Sequence, residues 1–168
     1  MRQGQMSFRL IAVAAILVGA TGLYLQTPRG HAPQQPIAHS HKLHAGDLQI
    51  NCLFCHDGAR RSAIAGVPSM QRCMGCHNAI EKETPELQKL KAAWDEKKPI
   101  EWMRVHKLPE FTRFNHKRHL AAGITCQTCH GEVQTMEGVR QVAPLTMGWC
   151  VQCHQQRQAS LDCLTCHH

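Results

Sequence analysis

All ten cysteines of this 168-residue chain stand in pentads of the form Cys-x-x-Cys-His: Cys52, Cys55 and His56; Cys73, Cys76 and His77; Cys126, Cys129 and His130; Cys150, Cys153 and His154; Cys163, Cys166 and His167. Two thiols held on one turn can add to the two vinyl groups of a haem, and the histidine that follows is placed to bind the iron from one side. Zinc hairpins share the Cys-x-x-Cys step but place no demand on the next residue. Disulfides between such neighbours would close loops too short to restrain much chain entropy. The cysteines therefore read as thioether anchors, the five histidines as proximal ligands, and the chain as a carrier of five covalently attached haem c groups.

An iron held from both sides needs a second ligand, and eight histidines remain: His31, His39, His41, His44, His106, His116, His119 and His168. His41 and His44 lie ahead of the first pentad in HKLHAGDLQINCLFCH, and His116 and His119 ahead of the third in FNHKRHLAAGITCQTCH. With His106 they make five distal candidates for five irons. His31 and His39 fall in a stretch rich in Pro, Gly and Gln and read as solvent-exposed, while His168 reads as spare. Met70 and Met147, each three residues ahead of a pentad, are competing ligands. A thioether raises the potential of a haem relative to two imidazoles, although methionine also commonly fills a gap in a core. If every iron has two protein ligands, no coordination position is open to a substrate, and the chemistry left is one-electron transfer. No Ser-His-Asp set, phosphate loop or carboxylate pair offers other catalysis, so no catalytic residue is assigned.

The elements that must position these residues are sparse. Residues 10–25 form an uncharged apolar run preceded by Arg2 and Arg9, which reads as a single N-terminal anchor over 1–26 of a bacterial inner membrane, with the haems on the periplasmic side. Cleavage after Val18-Gly19-Ala20 is the alternative. Residues 27–40 read as an extended linker, and 41–168 as one haem-binding domain built from two halves, about 41–77 and 114–154, with the fifth motif at 163–167. Between the halves one soluble helix is expected over about 85–97, with Thr84 as N-cap, Pro85 at its first position and Pro99 beyond its end. The rest is expected to be irregular chain and short helices wrapped on haem, because roughly 28 residues per haem cannot bury a conventional core. The formal charge of +7 falls to about +2 once five ferric haems of about −1 each are counted, and no basic run carries interleaved aromatics. A nucleic-acid partner is excluded on that ground.

The paired histidines followed by Cys-x-x-Cys-His resemble the small class III multihaem cytochromes. The longer string WMRVHKLPEFTRFNHKRH, then ITCQTCHGEVQTM, then QVAPLTMGWCVQCH, is similar to the pentahaem cytochrome c subunit of alternative complex III, and to the related multihaem subunit of menaquinone reductase, which has six motifs where this chain has five. The resemblance implies an electron-transfer subunit of a respiratory or photosynthetic quinol-oxidising complex. Its implied partners are an iron-sulfur subunit of molybdopterin-oxidoreductase type, polytopic quinol-binding subunits and a monohaem cytochrome c, soluble carrier or terminal oxidase. It also implies a ligand rule in which the first histidine of each pair serves the pentad that follows and the second serves the next. Under that rule His41 faces His56, His44 faces His77, His116 faces His130 and His119 faces His154, leaving His106 for the iron of His167. Two other readings stay open: a quinol dehydrogenase of nitrate or nitrite respiration, and a multihaem redox enzyme with one open haem site.

Overall fold

The computed structural model describes residues 30–80 and 83–167. The expected anchor over 1–26 lies outside them; among the described residues no helix is long and apolar enough to cross a membrane, and there is no strand. What remains is a string of short helices joined by irregular chain. The longest is Pro85–Asp95, followed by Met147–Gln156 and Met70–His77, and all five pentads lie wholly or partly on such helices, the last on the 3-10 turn Cys163–Thr165.

The Pro85–Asp95 helix begins as its sequence dictates. The Thr84 hydroxyl accepts a hydrogen bond from the Leu87 amide at 3.2 Å, and Pro85 fills the first position, where no amide is needed. Its end comes earlier than Pro99 suggests. Lys97 takes a left-handed φ of 54°, the Lys98 amide donates to the Ala93 carbonyl at 3.0 Å, and the Lys97 amide donates to that of Trp94 at 3.0 Å. This six-to-one and five-to-two pair is a Schellman stop, for which glycine is the favoured residue. Lys97→Gly is therefore expected to stabilise the holoprotein by about 0.5–1 kcal/mol, the left-handed cost of a side-chain-bearing residue less the greater freedom of glycine in the unfolded chain. Denaturant unfolding of the two proteins measures it.

The 30–40 segment is laid along the domain. Gly30 and His31 exchange main-chain hydrogen bonds with Gln141, at 2.6 and 2.9 Å. The Gln35 amide group bonds both the amide and the carbonyl of Met103, and the Ala38 amide donates to the Glu86 carboxylate at 2.6 Å.

Packing among side chains is thin. The buried apolar residues are Ala59, Met74, Leu90, Met136 and Ala143, while Ile64, Phe111, Leu164 and Met147 are each at least 66% exposed. Main-chain bonds join the parts: His116 and Lys117 of the second half donate to Ala63 and Ser62 of the first, and Arg113 donates to Cys166 at 2.7 Å.

Candidate metal centres

The two halves repeat one local design on different backbones. In the second, Asn115 caps the His116–Ala121 α-helix by accepting from the Arg118 amide. In the first, Lys42–Asp47 winds as a π-helix, closed by the Leu48 amide on the Leu43 carbonyl at 2.9 Å. The reason is in the spacing: eleven steps separate His41 from Cys52, but ten separate His116 from Cys126. A π turn absorbs one extra residue without moving what lies on either side.

The histidines consequently meet in the same way twice. His41 and His56 face each other with ring centroids 6.5 Å apart and planes 4° from parallel; His116 and His130 do so at 6.4 Å and 12°. The second member of each pair is more tilted. His44 stands 6.1 Å from His77 at 58°, and His119 stands 6.2 Å from His154 at 43°.

Two metal–nitrogen bonds of about 2.0 Å each, added to the inner radii of two imidazoles, give a centroid separation of about 6 Å. Each pair therefore has room for one ion on its axis. Among the described residues no group of three or more His, Cys, Asp or Glu side chains comes together to hold a bare ion, so the protein supplies two donors from opposite sides and the equatorial ones must come from elsewhere. A haem macrocycle provides that set, and the paired thiols beside each proximal histidine give it two points of attachment. The residues fit the group.

Main-chain carbonyls orient the rings. Nδ1 of His44 contacts Ser40 O at 2.8 Å and Nδ1 of His119 contacts Asn115 O at 2.8 Å, the same residue offset in both halves. His56 is held by Gly66 O at 2.6 Å, His116 by Ala63 O at 2.8 Å, His154 by Ser160 O at 2.7 Å and His167 by Phe111 O at 3.1 Å. A ring that donates through Nδ1 leaves Nε2 unprotonated and available to a metal. Burial, then His56 and His44, lowers His41 to a pKa of about 4; burial, then His106, His116 and His56, does the same to His130. Both are neutral at pH 7, the form that coordinates.

Two histidines do not lie where sequence reasoning puts them. His106 was assigned to the iron of His167, but its ring packs edge-on against His130 at 4.4 Å, and its Nε2 is buried without a hydrogen-bond partner. The C-terminal motif is tied to the segment between the halves by Phe111 and Arg113 instead, through the main chain. His39, read as a solvent-exposed member of the linker, is wedged between two candidate ligands. It meets His41 at 4.8 Å and 85°, and His44 at 4.3 Å and 34°. Phe114 makes the same contacts in the second half, with His116 at 4.8 Å and 86° and His119 at 4.3 Å and 28°. The signal was available in the sequence, since both residues stand two positions ahead of a paired histidine. Burial, then His44 and His41, lowers His39 to about 4, so it serves as a neutral aromatic in the place of phenylalanine.

The motifs neighbour one another in an order that is not that of the chain. Burial and then the neighbouring Cys73 raise the pKa of the Cys55 thiol, and burial and then Cys52 raise that of Cys126. Cys129 likewise senses Cys153 and Cys150, and Cys150 senses Cys166. Hydrogen bonds follow the same sequence of neighbours: the 58–66 loop holds both His56 and His116, and Ser160, which holds His154, bonds Thr165 of the last motif at 2.8 Å. The line runs 73–77, 52–56, 126–130, 150–154, 163–167.

Comparison with known proteins agrees with this architecture. Residues 23–110 match the model of the class III cytochrome c family, and residues 112–168 match that of cytochrome c7 and related cytochromes c. Over 98 residues the chain is 32% identical to the protein named menaquinone reductase, multiheme cytochrome c subunit, of Nitratidesulfovibrio vulgaris strain Hildenborough. That alignment takes in 58% of this chain and 46% of the relative, so it spans just under half of the relative's length.

Proposed function

The chain belongs to the class III cytochrome c family, and we propose that it is a five-haem electron-transfer wire within a membrane-bound quinol-oxidising complex of the alternative complex III type. The observation that carries the wire is the line of motifs, four of which bring two imidazoles to facing positions about 6 Å apart. Haem c bound at each motif supplies reversible one-electron transfer. The chain's residues do the rest: ten cysteines fix position, His56, His77, His130, His154 and His167 hold one face, and His41, His44, His116 and His119 hold the other at four motifs. With both faces of an iron occupied by protein, a substrate has no place to bind, and electrons can only pass along the line.

The complex is inferred from sequence. The relative's name makes it a subunit of a menaquinone reductase, and the string from Trp102 to His154 is similar to the pentahaem subunit of alternative complex III. On that reading residues 1–26 anchor the chain in the inner membrane with the 41–168 domain in the periplasm. Electrons arrive from an iron-sulfur subunit resembling molybdopterin oxidoreductases, after polytopic subunits have oxidised quinol, and leave for a monohaem cytochrome c. Purification under mild detergent, with identification of the co-purifying chains, tests this; a chain isolated alone and released without detergent overturns it.

The haem count tests the wire itself. Pyridine haemochrome assay is expected to give five haems per chain, resistant to acid-acetone extraction and to reductants, and a count of two or three would sink the reading. One observation favours the alternative of an open haem site at a single place: among the described residues, the ring beside His167 is that of Phe111 at 5.8 Å, not a second imidazole.

A further inference from the structure

His39 and Phe114 each touch two candidate distal imidazoles, and they do so in one geometry. Each stands two residues ahead of the first histidine of its pair and five ahead of the second. His39 meets His41 edge-on at 4.8 Å and 85°, and Phe114 meets His116 edge-on at 4.8 Å and 86°. Against the second histidine the ring leans towards parallel, at 4.3 Å and 34° for His39 on His44 and at 4.3 Å and 28° for Phe114 on His119. The agreement is not inherited from the backbone, since a π-helix carries His44 and an α-helix carries His119.

Resting on the haem reading above, we propose that His39 and Phe114 are positioning residues, each an aromatic wedge that fixes the rotation of two axial imidazoles at once and so gives its half one haem with parallel ligand planes and one with crossed planes. A ring perpendicular to one neighbour and closer to parallel with the other turns those neighbours against each other. The facing pairs show the result: 4° and 12° at the first histidine of each pair, 58° and 43° at the second. A coordinated imidazole can otherwise turn about its metal–nitrogen bond, and close contact with a neighbouring ring is what stops it.

Main-chain acceptors share this work unevenly. Nδ1 of His44, His116 and His119 each contacts a carbonyl oxygen, which fixes one edge of those rings. Nδ1 of His41 is buried with no partner, so no hydrogen bond sets its rotation and the contact with His39 does. Trp102 backs that wedge at 6.5 Å and 76°.

The plane angle matters because imidazole π-donation falls on one iron d orbital when the two planes are parallel and is shared between two when they cross. Parallel planes split those orbitals widely and give a rhombic ferric spectrum with three separated g values. Crossed planes leave them close in energy and give a single feature at large g. The wider splitting also stabilises the ferric state, so each wedge acts on the electronic state of two irons at a time.

The test uses the full-length holoprotein and the variants His39→Leu, His39→Phe and Phe114→Leu, with haems counted first and the oxidised proteins compared by spin-quantified electron paramagnetic resonance. The wild type is expected to hold at least two haems of each spectral class. His39→Leu should move one signal of each class, the rhombic one most, because His41 has no hydrogen bond to fall back on. Phe114→Leu should move the other two, the rhombic one less, because Ala63 O still holds His116. His39→Phe should keep the wild-type spectrum. A wild type with fewer than two haems of either class, a His39→Leu spectrum unchanged or changed at one haem alone, or a His39→Phe spectrum altered as far as that of His39→Leu overturns the proposal. A wild-type count of two or three haems would instead overturn the haem reading on which it rests, and the wild-type spectrum decides the matter even where a variant does not fold.

Discussion

Replacing all ten cysteines by serine, or producing the chain where haem is not attached, is expected to yield a polypeptide with no cooperative unfolding transition and little helix. Five small or flexible buried side chains are the described apolar core, and the helices that carry the motifs run from three or four residues to ten. Helices that short are not stable alone. Burying a side chain contributes about 1.5–3 kcal/mol, whereas ordering each residue costs about 1–2 kcal/mol, so five buried residues cannot hold the described chain in place. Haem supplies the missing apolar area, and its ligation draws segments distant in sequence to one point. Far-ultraviolet circular dichroism of the haem-free chain, compared with the holoprotein, decides the matter. A haem-free chain with native helix content and a sharp melting transition would refute it.

The second large effect comes from cutting the line in its middle. Cys126→Ser with Cys129→Ser removes the middle haem of the line, and Cys163→Ser with Cys166→Ser removes one at an end. The first variant is expected to slow electron equilibration between the remaining haems by orders of magnitude after rapid partial reduction, because 52–56 and 150–154 lose the motif that lies between them. The second should leave equilibration among the remaining four unchanged. Stopped-flow reduction of variants shown to retain four haems makes the comparison. Similar rates in both would mean that the haems form a cluster with alternative routes and not a single file.

Much of this was legible before any coordinates. The pentads announced the anchors because thioether attachment demands a fixed spacing, and Thr84 with Pro85 announced a helix start because few other settings favour that pair. The order of the line was not legible. The halves meet through the 58–66 loop, which grips His116 by Ala63 O, and nothing in the side chains of residues 58–66 advertises that contact. The structure sets His106 against His130, a contact that counting histidines, which gives the last one to the last haem, does not foresee. His39 was missed because an imidazole suggests coordination or solvent, while here its aromatic face is what fits, as Phe114 shows. Pairwise spacing reports what a residue can bind; it does not report which of two neighbours it will stand between.

The acceptors that steer the imidazoles are main-chain oxygens, and every amino acid carries one. Substitution in the loops that supply them therefore changes little wherever the backbone does not itself require glycine. Length has no such freedom. A single-residue deletion between Asp57 and Gly66 moves the oxygens of Ala63 and Gly66 together, and with them the aim of His116 and His56, one in each half. Apart from Gly58, where a Cβ would meet the main-chain oxygens of Ala65 and Ile64 at 2.7 and 2.8 Å, and Gly66, with a φ of 74°, the loop is held by its length and not by its side chains: a constraint that a profile built from residue identities would record only at its glycines.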